Sequence, residues 1–237
     1  MTEWAPRRFW KAVAVREVEG GWEVALDERP LRTPFKSALL VPTSAMADEL
    51  AREWDAVGDR VDPRTMPWTR SANSAVDKIP VQREAVVGML AEYGATDLLS
   101  YRADRPEALA ERQAAAWDPM LDWADDRYGA RLAVTAGMMP VPQDADALSR
   151  LRRAVAAQDD FALTGLHDLV VLTGSLILGL AAAEGVGTAD ELWRLSRIDE
   201  EFQAEQWGRD EEADAAAAMQ KAAFQHAHRF HRAALGR

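Results

Sequence analysis

The chain has 237 residues, a formal net charge of −11 and no cysteine. Its 48% hydrophobic and 28% charged residues suit a folded protein of one large or two small domains and argue against disorder. The acidic balance argues against a broad phosphate-binding surface, and the missing thiols exclude disulfides, thiolate metal sites and a cysteine nucleophile.

The N-terminus, Met1 to Arg8, has no apolar run suited to a signal peptide. The expected location is the cytoplasm, or a matrix-like compartment if a presequence has been removed. The first forty residues read as β structure. Trp22 to Asp27 alternates with period two, Phe9, Val13 and Val15 form one face of the preceding run, and Gly20-Gly21 is a hairpin turn between them. Asp27 to Pro30 reads as a second turn, with short strands near Leu31 to Thr33 and Leu39 to Val41.

From Thr43 the pattern is helical. Thr43 or Ser44 caps a helix reaching about Val57, and a second runs from about Pro67 to Lys78, stopped by Pro80. Further helices fit Val81 to Tyr93, Pro106 to Tyr128, Asp144 to Ala157, Asp160 to Glu184 and Thr188 to about Trp207, with a last one from about Asp210. Leu169 to Ala183 is the most apolar run, shorter than the roughly 20 residues that span a bilayer. It reads as the buried centre of a helical bundle, where Ser175 and Gly179 admit a close neighbour. The expected fold class is therefore α+β. A small β-rich N-terminal domain over 1–60, ending in a first helix, precedes a larger all-helical C-terminal domain over 61–237.

The chain carries no phosphate-binding glycine loop, dinucleotide fingerprint or Gly-x-Ser-x-Gly elbow. His226 and His228 diverge by about 200° on a helix, leaving only His228 and His231 on one face, which reads as helix C-terminal charge rather than a metal site. His167 and Asp168 diverge by about 100°, so they are not expected to orient one another. Of nine tryptophans, Trp10, Trp22 and Trp54 fit packing between sheet and first helix, and Trp117 and Trp123 fit the helix from Pro106. Trp68 and Trp207, each beside a break, are the candidates for a partner surface.

Ser196 to Asp214 is the densest acidic stretch. A helix there sets Glu201 and Glu205 one turn apart, where like charges repel by a few tenths of a kcal/mol, so it reads as a surface kept acidic for a partner. A carboxylate pair for glycoside hydrolysis is easy to find among so many acids, but no aromatic-lined sugar platform accompanies it. The alternative to a partner surface is a small-substrate enzyme using C-terminal carboxylates, which requires a deep, partly apolar pocket and a carboxylate of raised pKa.

A series of motifs runs through nearly the whole chain: Arg8-Phe9-Trp10-Lys11, Leu26-Asp27-x-Arg29, Thr33-Pro34, Glu53-Trp54-Asp55 and Asp62-Pro63-x-x-Met66-Pro67-x-Thr69-Arg70-x-x-Asn73. Thr96-Asp97-Leu98-Leu99-x-Tyr101-Arg102, Gln113-x-x-x-Trp117-Asp118-Pro119, Thr173-Gly174-Ser175 and Asp199-Glu200-x-Phe202-Gln203-x-x-x-Trp207-Gly208-x-Asp210 follow. In this order the series resembles the Atp12 family of ATP synthase assembly chaperones. Trp68 and Ser71 depart from the leucine and the bulky apolar residue expected after Met66-Pro67, which bears on the local packing.

The resemblance implies a non-enzymatic protein, and the residue readings above add the expectation of no cofactor or metal, no nucleic-acid partner and no membrane insertion, with a monomer expected. Its implied partner is the free F1-ATPase α subunit, held from aggregation until it meets β. The implied α-binding acids are Asp199, Glu200 and Glu201, with Glu205 and Asp210 nearby, pairing with arginines or lysines that otherwise face β. Phe202 and Trp207 either anchor the partner or dock the helix.

Overall fold

The computed structural model describes residues 6–137 and 139–237. The first five residues of the stretch read for a targeting signal lie outside them. The chain forms two compact units, and each is mostly built from elements that cap and bury in ways its local sequence dictates.

The first unit holds the described residues up to Arg83, with Asp160–Gly165 and Arg229–Arg237. β1 (Val13–Val18) and β2 (Gly21–Leu26) form an antiparallel hairpin with Val15 opposite Val24 and Val18 opposite Gly21. β2 also pairs with β3 (Arg29–Pro30) and β4 (Leu40–Val41), so it is the central strand. Gly21 sits at φ +145, and a Cβ there would lie 2.6 Å from the Val41 carbonyl oxygen, which only glycine tolerates.

Asp27 closes the next turn at φ +52. Its carboxylate accepts from the N–H groups of Ala12 (3.0 Å) and Lys11 (3.1 Å), and these two bonds hold its pKa below the ordinary value. The turn is tighter than expected, since Arg29 and Pro30 already pair with Leu26 and Ala25. The strand expected over Leu31 to Thr33 reduces to an isolated bridge between Arg32 and Ala38. Pro30 and Pro34 lack the N–H that a longer ladder needs.

α1 (Ser44–Asp55) starts where Thr43 accepts from the Met46 N–H, and it buries Met46, Ala47 and Leu50 on one face. These join Trp10, Leu26, Leu39, Met66 and Phe230 in the unit's core, where each fully buried large apolar side chain contributes about 1.5–3 kcal/mol. α2 (Pro67–Asp77) opens with proline in its first turn, and Pro80 likewise lies in the first turn of α3 (Ile79–Glu92), so Pro80 begins a helix rather than only ending one. Trp68 is 6% exposed and packs 5.6 Å from the Phe230 ring. It is a core residue, not a partner-facing one.

The second unit holds the described residues of Glu84–Asp159 and Leu166–His228. It is helical, apart from two-residue strands β5 (Tyr101–Arg102) and β6 (Thr135–Ala136) paired in parallel. α4 (Glu107–Tyr128) ends on Gly129 at φ +64, and α5 (Ala145–Ala156) starts on Asp144, which accepts from the Ala147 N–H. The single helix expected over Asp160 to Glu184 is two, α6 (Asp160–Thr173) and α7 (Leu176–Glu184). Gly174 turns left-handed at φ +68, and the Ser175 hydroxyl accepts from the Leu178 N–H to begin α7. Every residue of α7 from Leu176 to Ala183 is buried. Gly179 is met by α6: a Cβ there would stand 2.4 Å from Val170 Cγ2.

The joint is anchored by Asp97, fully buried, which accepts from Ser175 Oγ (2.7 Å) and from the N–H groups of Leu99 and Ile177. Burial still pushes its pKa up to about 6. The helix expected over Thr188 to Trp207 is also divided, into α8 (Ala189–Leu195), with a Thr188/Glu191 capping box, and α9 (Ile198–Trp207). The Ser196 hydroxyl donates to the Trp193 carbonyl at 2.8 Å and diverts the backbone there. α10 (Glu211–Ala234) follows. The architecture is thus mostly helical with a small strand-containing N-terminal region. Among the described residues, no helix is long and apolar enough to cross a membrane.

Candidate functional site

α9 carries most of the residues singled out from sequence, and α4 sets where it lies. One turn of α4 presents Gln113 and Trp117, both almost fully buried. The Trp117 indole N–H donates to the Leu195 carbonyl at 2.8 Å, satisfying a group left open where α8 ends. The Gln113 amide donates to Asp199 Oδ1 at 2.6 Å, and its oxygen accepts from the Ala103 N–H at 2.7 Å. Arg102, 8% exposed, lies 5.2 Å over the Trp117 ring and donates to Asp118 at 2.9 Å, which stiffens this support.

The first turn of α9 holds Asp199, Glu200 and Glu201, where negative charge meets the positive end of the helix dipole. Asp199 is half-buried against Gln113. Glu200 pairs with Arg197 at 2.7 Å, and Glu201 with Arg209 at 2.8 Å. Glu205 pairs with Arg112 of α4 at 2.8 Å. The repulsion expected between Glu201 and Glu205 is therefore relieved by a separate arginine on each. Arg209 also reaches Asp214 at 3.1 Å.

Asp210 has a structural task, accepting from the Ala213 N–H at 2.8 Å as α10 begins. Phe202 is half-buried, whereas Trp207 is 81% exposed at the end of α9. Gly208 follows at φ +93, ψ 162, a conformation that stops the helix and leaves the indole at its tip. The structure thus brings Asp199, Glu200, Glu201, Phe202, Glu205 and Trp207 onto one helix, with Asp210 in the segment after it. Acids outnumber arginines eight to two between Ser196 and Asp214, while Glu211 and Glu212 make no ion pair among the described residues.

Other chemistry finds less support. Among the described residues, no group of three or more His, Asp or Glu side chains is arranged to hold a metal ion. His167 Nδ1 and Asp168 Oδ1 do meet, at 2.8 Å, because side-chain rotation closes the angle between adjacent helical positions. Both side chains stay well exposed, at 37% and 47%. The described groove of the first unit is lined by none of the α9 carboxylates. Sequence reasoning did not assign Arg112, Gln113 and Trp117 their part in holding α9. The four-residue spacing of Gln113 and Trp117 was the available signal, since it places both on one face.

The profile of the ATP12 chaperone protein family matches residues 7–125. The mitochondrial atp12 protein of Schizosaccharomyces pombe is 24% identical over 219 residues, spanning 87% of this chain and 75% of that protein. The crystal structure of Atp12 from Paracoccus denitrificans is 57% identical with a TM-score of 0.93, covering 95% of this chain and 97% of that one. A mutant of P. denitrificans Atp12p in which an aspartate is replaced by lysine is 56% identical with a TM-score of 0.94, covering 96% and 97%.

Proposed function

Because the chain belongs to the ATP12 chaperone protein family, we propose that it binds the unassembled F1-ATPase α subunit, prevents its aggregation and hands it over during assembly of the ATP synthase F1 sector. It does so as a monomer, without catalysis, cofactor or metal, in a bacterial cytoplasm or the matrix of a mitochondrion. An unassembled subunit exposes surfaces its neighbours normally cover, and such surfaces aggregate. A chaperone of this kind works by mass action: it binds, shields and is displaced.

The observation that supports this reading within the chain is the character of α9, whose Glu201 and Glu205 are held by the exposed Arg209 and Arg112 and whose tip presents Trp207 to solvent. Exposed ion pairs are worth about 0–1 kcal/mol. Glu201 and Glu205 therefore exchange Arg209 and Arg112 for a client's arginine or lysine at little cost. Trp207 adds an apolar contact of the kind that dominates interface energetics. Asp199, Glu200 and Phe202 complete the surface, and Asp210 holds the start of α10 beside it.

The test is charge reversal. Glu200→Lys and Glu201→Lys lie on the surface, so their circular dichroism and thermal midpoints are expected to match the parent, while capture of tagged α falls and the parent complex weakens with salt. Normal capture by both variants, with no salt effect, would remove the acidic-surface mechanism.

A further inference from the structure

The first unit contains a groove of about 630 Å³, within the size range of clefts that hold small ligands. It lies between α2 and the segment from Arg32 to Phe35. Its chemistry runs against that of the chain. The net charge of the protein is −11, yet Arg32, Arg70 and Lys78 line the groove and are exposed, and none forms an ion pair among the described residues. Asp77 is the one acid among the described lining residues. Its carboxylate is already engaged by the Thr33 hydroxyl at 2.8 Å and the Phe35 N–H at 3.4 Å.

The interior of the groove is apolar, with Leu39 and Met66 each 2% exposed. Two further lining residues bring buried polar atoms without a hydrogen-bond partner, the Trp54 indole N–H and the Asn73 side-chain carbonyl. A buried donor and a buried acceptor left unused are rare in folded proteins. A peptide backbone supplies the complement of both, with carbonyls that accept from a donor such as Trp54 and N–H groups that donate to an acceptor such as Asn73. Phe35 is 73% exposed and is also part of the lining.

We propose that this groove docks an extended peptide segment of a partner protein, one that carries an apolar side chain flanked by carboxylates. The apolar side chain lies over Leu39 and Met66, the peptide backbone meets Trp54 and Asn73, and the flanking carboxylates meet Arg32, Arg70 and Lys78. Charge complementarity selects the occupant: the cationic lining repels a basic segment, and the apolar interior with its peptide-matched polar pair distinguishes a peptide from a phosphate chain. The inference concerns a surface other than α9 and does not rest on the identity of the client.

The experiment uses the full chain and three fluorescein-labelled probes: an acetylated Asp-Leu-Asp peptide, its Lys-Leu-Lys counterpart and a short oligothymidylate. Fluorescence anisotropy is expected to show binding of the acidic peptide alone, with displacement of the Trp54 indole N–H resonance on titration. Arg70 and Lys78 are exposed, so the Arg70→Glu/Lys78→Glu variant is expected to keep the parent circular dichroism and to weaken that binding by about tenfold or more. Equal binding of the basic peptide, tighter binding of the oligothymidylate, an unmoved Trp54 resonance, or unchanged affinity in the double variant would each overturn the proposal.

Discussion

The start of α2 offers a sharp test of how the first unit is held together. Met66 provides no side-chain cap there, so the amides of the first turn need another partner. Glu53 of α1 supplies it: Oε1 accepts from the Trp68 N–H at 2.6 Å, and Oε2 accepts from the Thr69 N–H at 2.8 Å and the Thr69 hydroxyl at 2.9 Å. Glu53→Ala removes three bonds to a charged acceptor, each worth about 1.5–3 kcal/mol in isolation. Burial raises the Glu53 pKa more than these donors lower it, so relief of carboxylate desolvation returns part of that loss. The net expectation is a destabilisation of about 2–3 kcal/mol for Glu53→Ala and about 1–2 kcal/mol for Glu53→Gln, which keeps one oxygen but turns an amide donor toward a backbone donor. With a urea m-value of about 2 kcal/mol/M, the alanine variant unfolds about 1–1.5 M earlier in urea. A shift below about 0.3 M would refute the claim that Glu53 caps α2.

Three further outcomes are expected. Gly179→Ala gains about 1 kcal/mol of helix propensity but forces its methyl into Val170, so it lowers the urea midpoint, and Val170→Ala partly rescues it with a coupling of about 0.5–3 kcal/mol; a stabilised Gly179→Ala would disprove the close approach of α6 and α7. Asp97 has a folded pKa of about 6 against 3.8 in the open chain, so folding takes up a proton between those values. Its contribution to stability therefore falls as pH rises from about 4 to 6 and is flat above, by ~3 kcal/mol at most. The stability difference between the parent and Asp97→Asn is expected to follow that course in urea titrations, and a difference independent of pH would contradict it. Trp207→Ala, at an exposed position, is expected to change stability by less than about 0.5 kcal/mol while weakening client capture; a large loss of stability would mean that the indole serves the fold.

Local signals were the legible part of this chain. Thr43, Asp144 and Thr188 stand one residue before helices because each accepts a backbone N–H there, and the alternation of Trp22 to Leu26 is a strand paired on both sides. The two missed helix breaks share one cause. Apolar periodicity runs on through Gly174-Ser175 and through Ser196, whereas the breaks are made by a left-handed Gly174 and by the Ser175 and Ser196 hydroxyls bonding nearby backbone groups, which periodicity does not register. The placement of α9 was likewise readable as an acidic helix, while its pairing was not. Glu205 and Arg112 lie 93 residues apart, and nothing in spacing along the chain brings them together. The cationic groove was equally hidden, since its lining comes from separate stretches between Arg32 and Lys78.

The most direct measurement of the proposed function is co-expression with tagged α and, separately, tagged β subunits of the cognate F1, followed by pull-down at low and moderate salt. Capture by α and not by β, weakened as salt rises, is the expected result. Absence of capture by α, in cells where the tagged subunit is present and soluble enough to be recovered, would contradict the central claim.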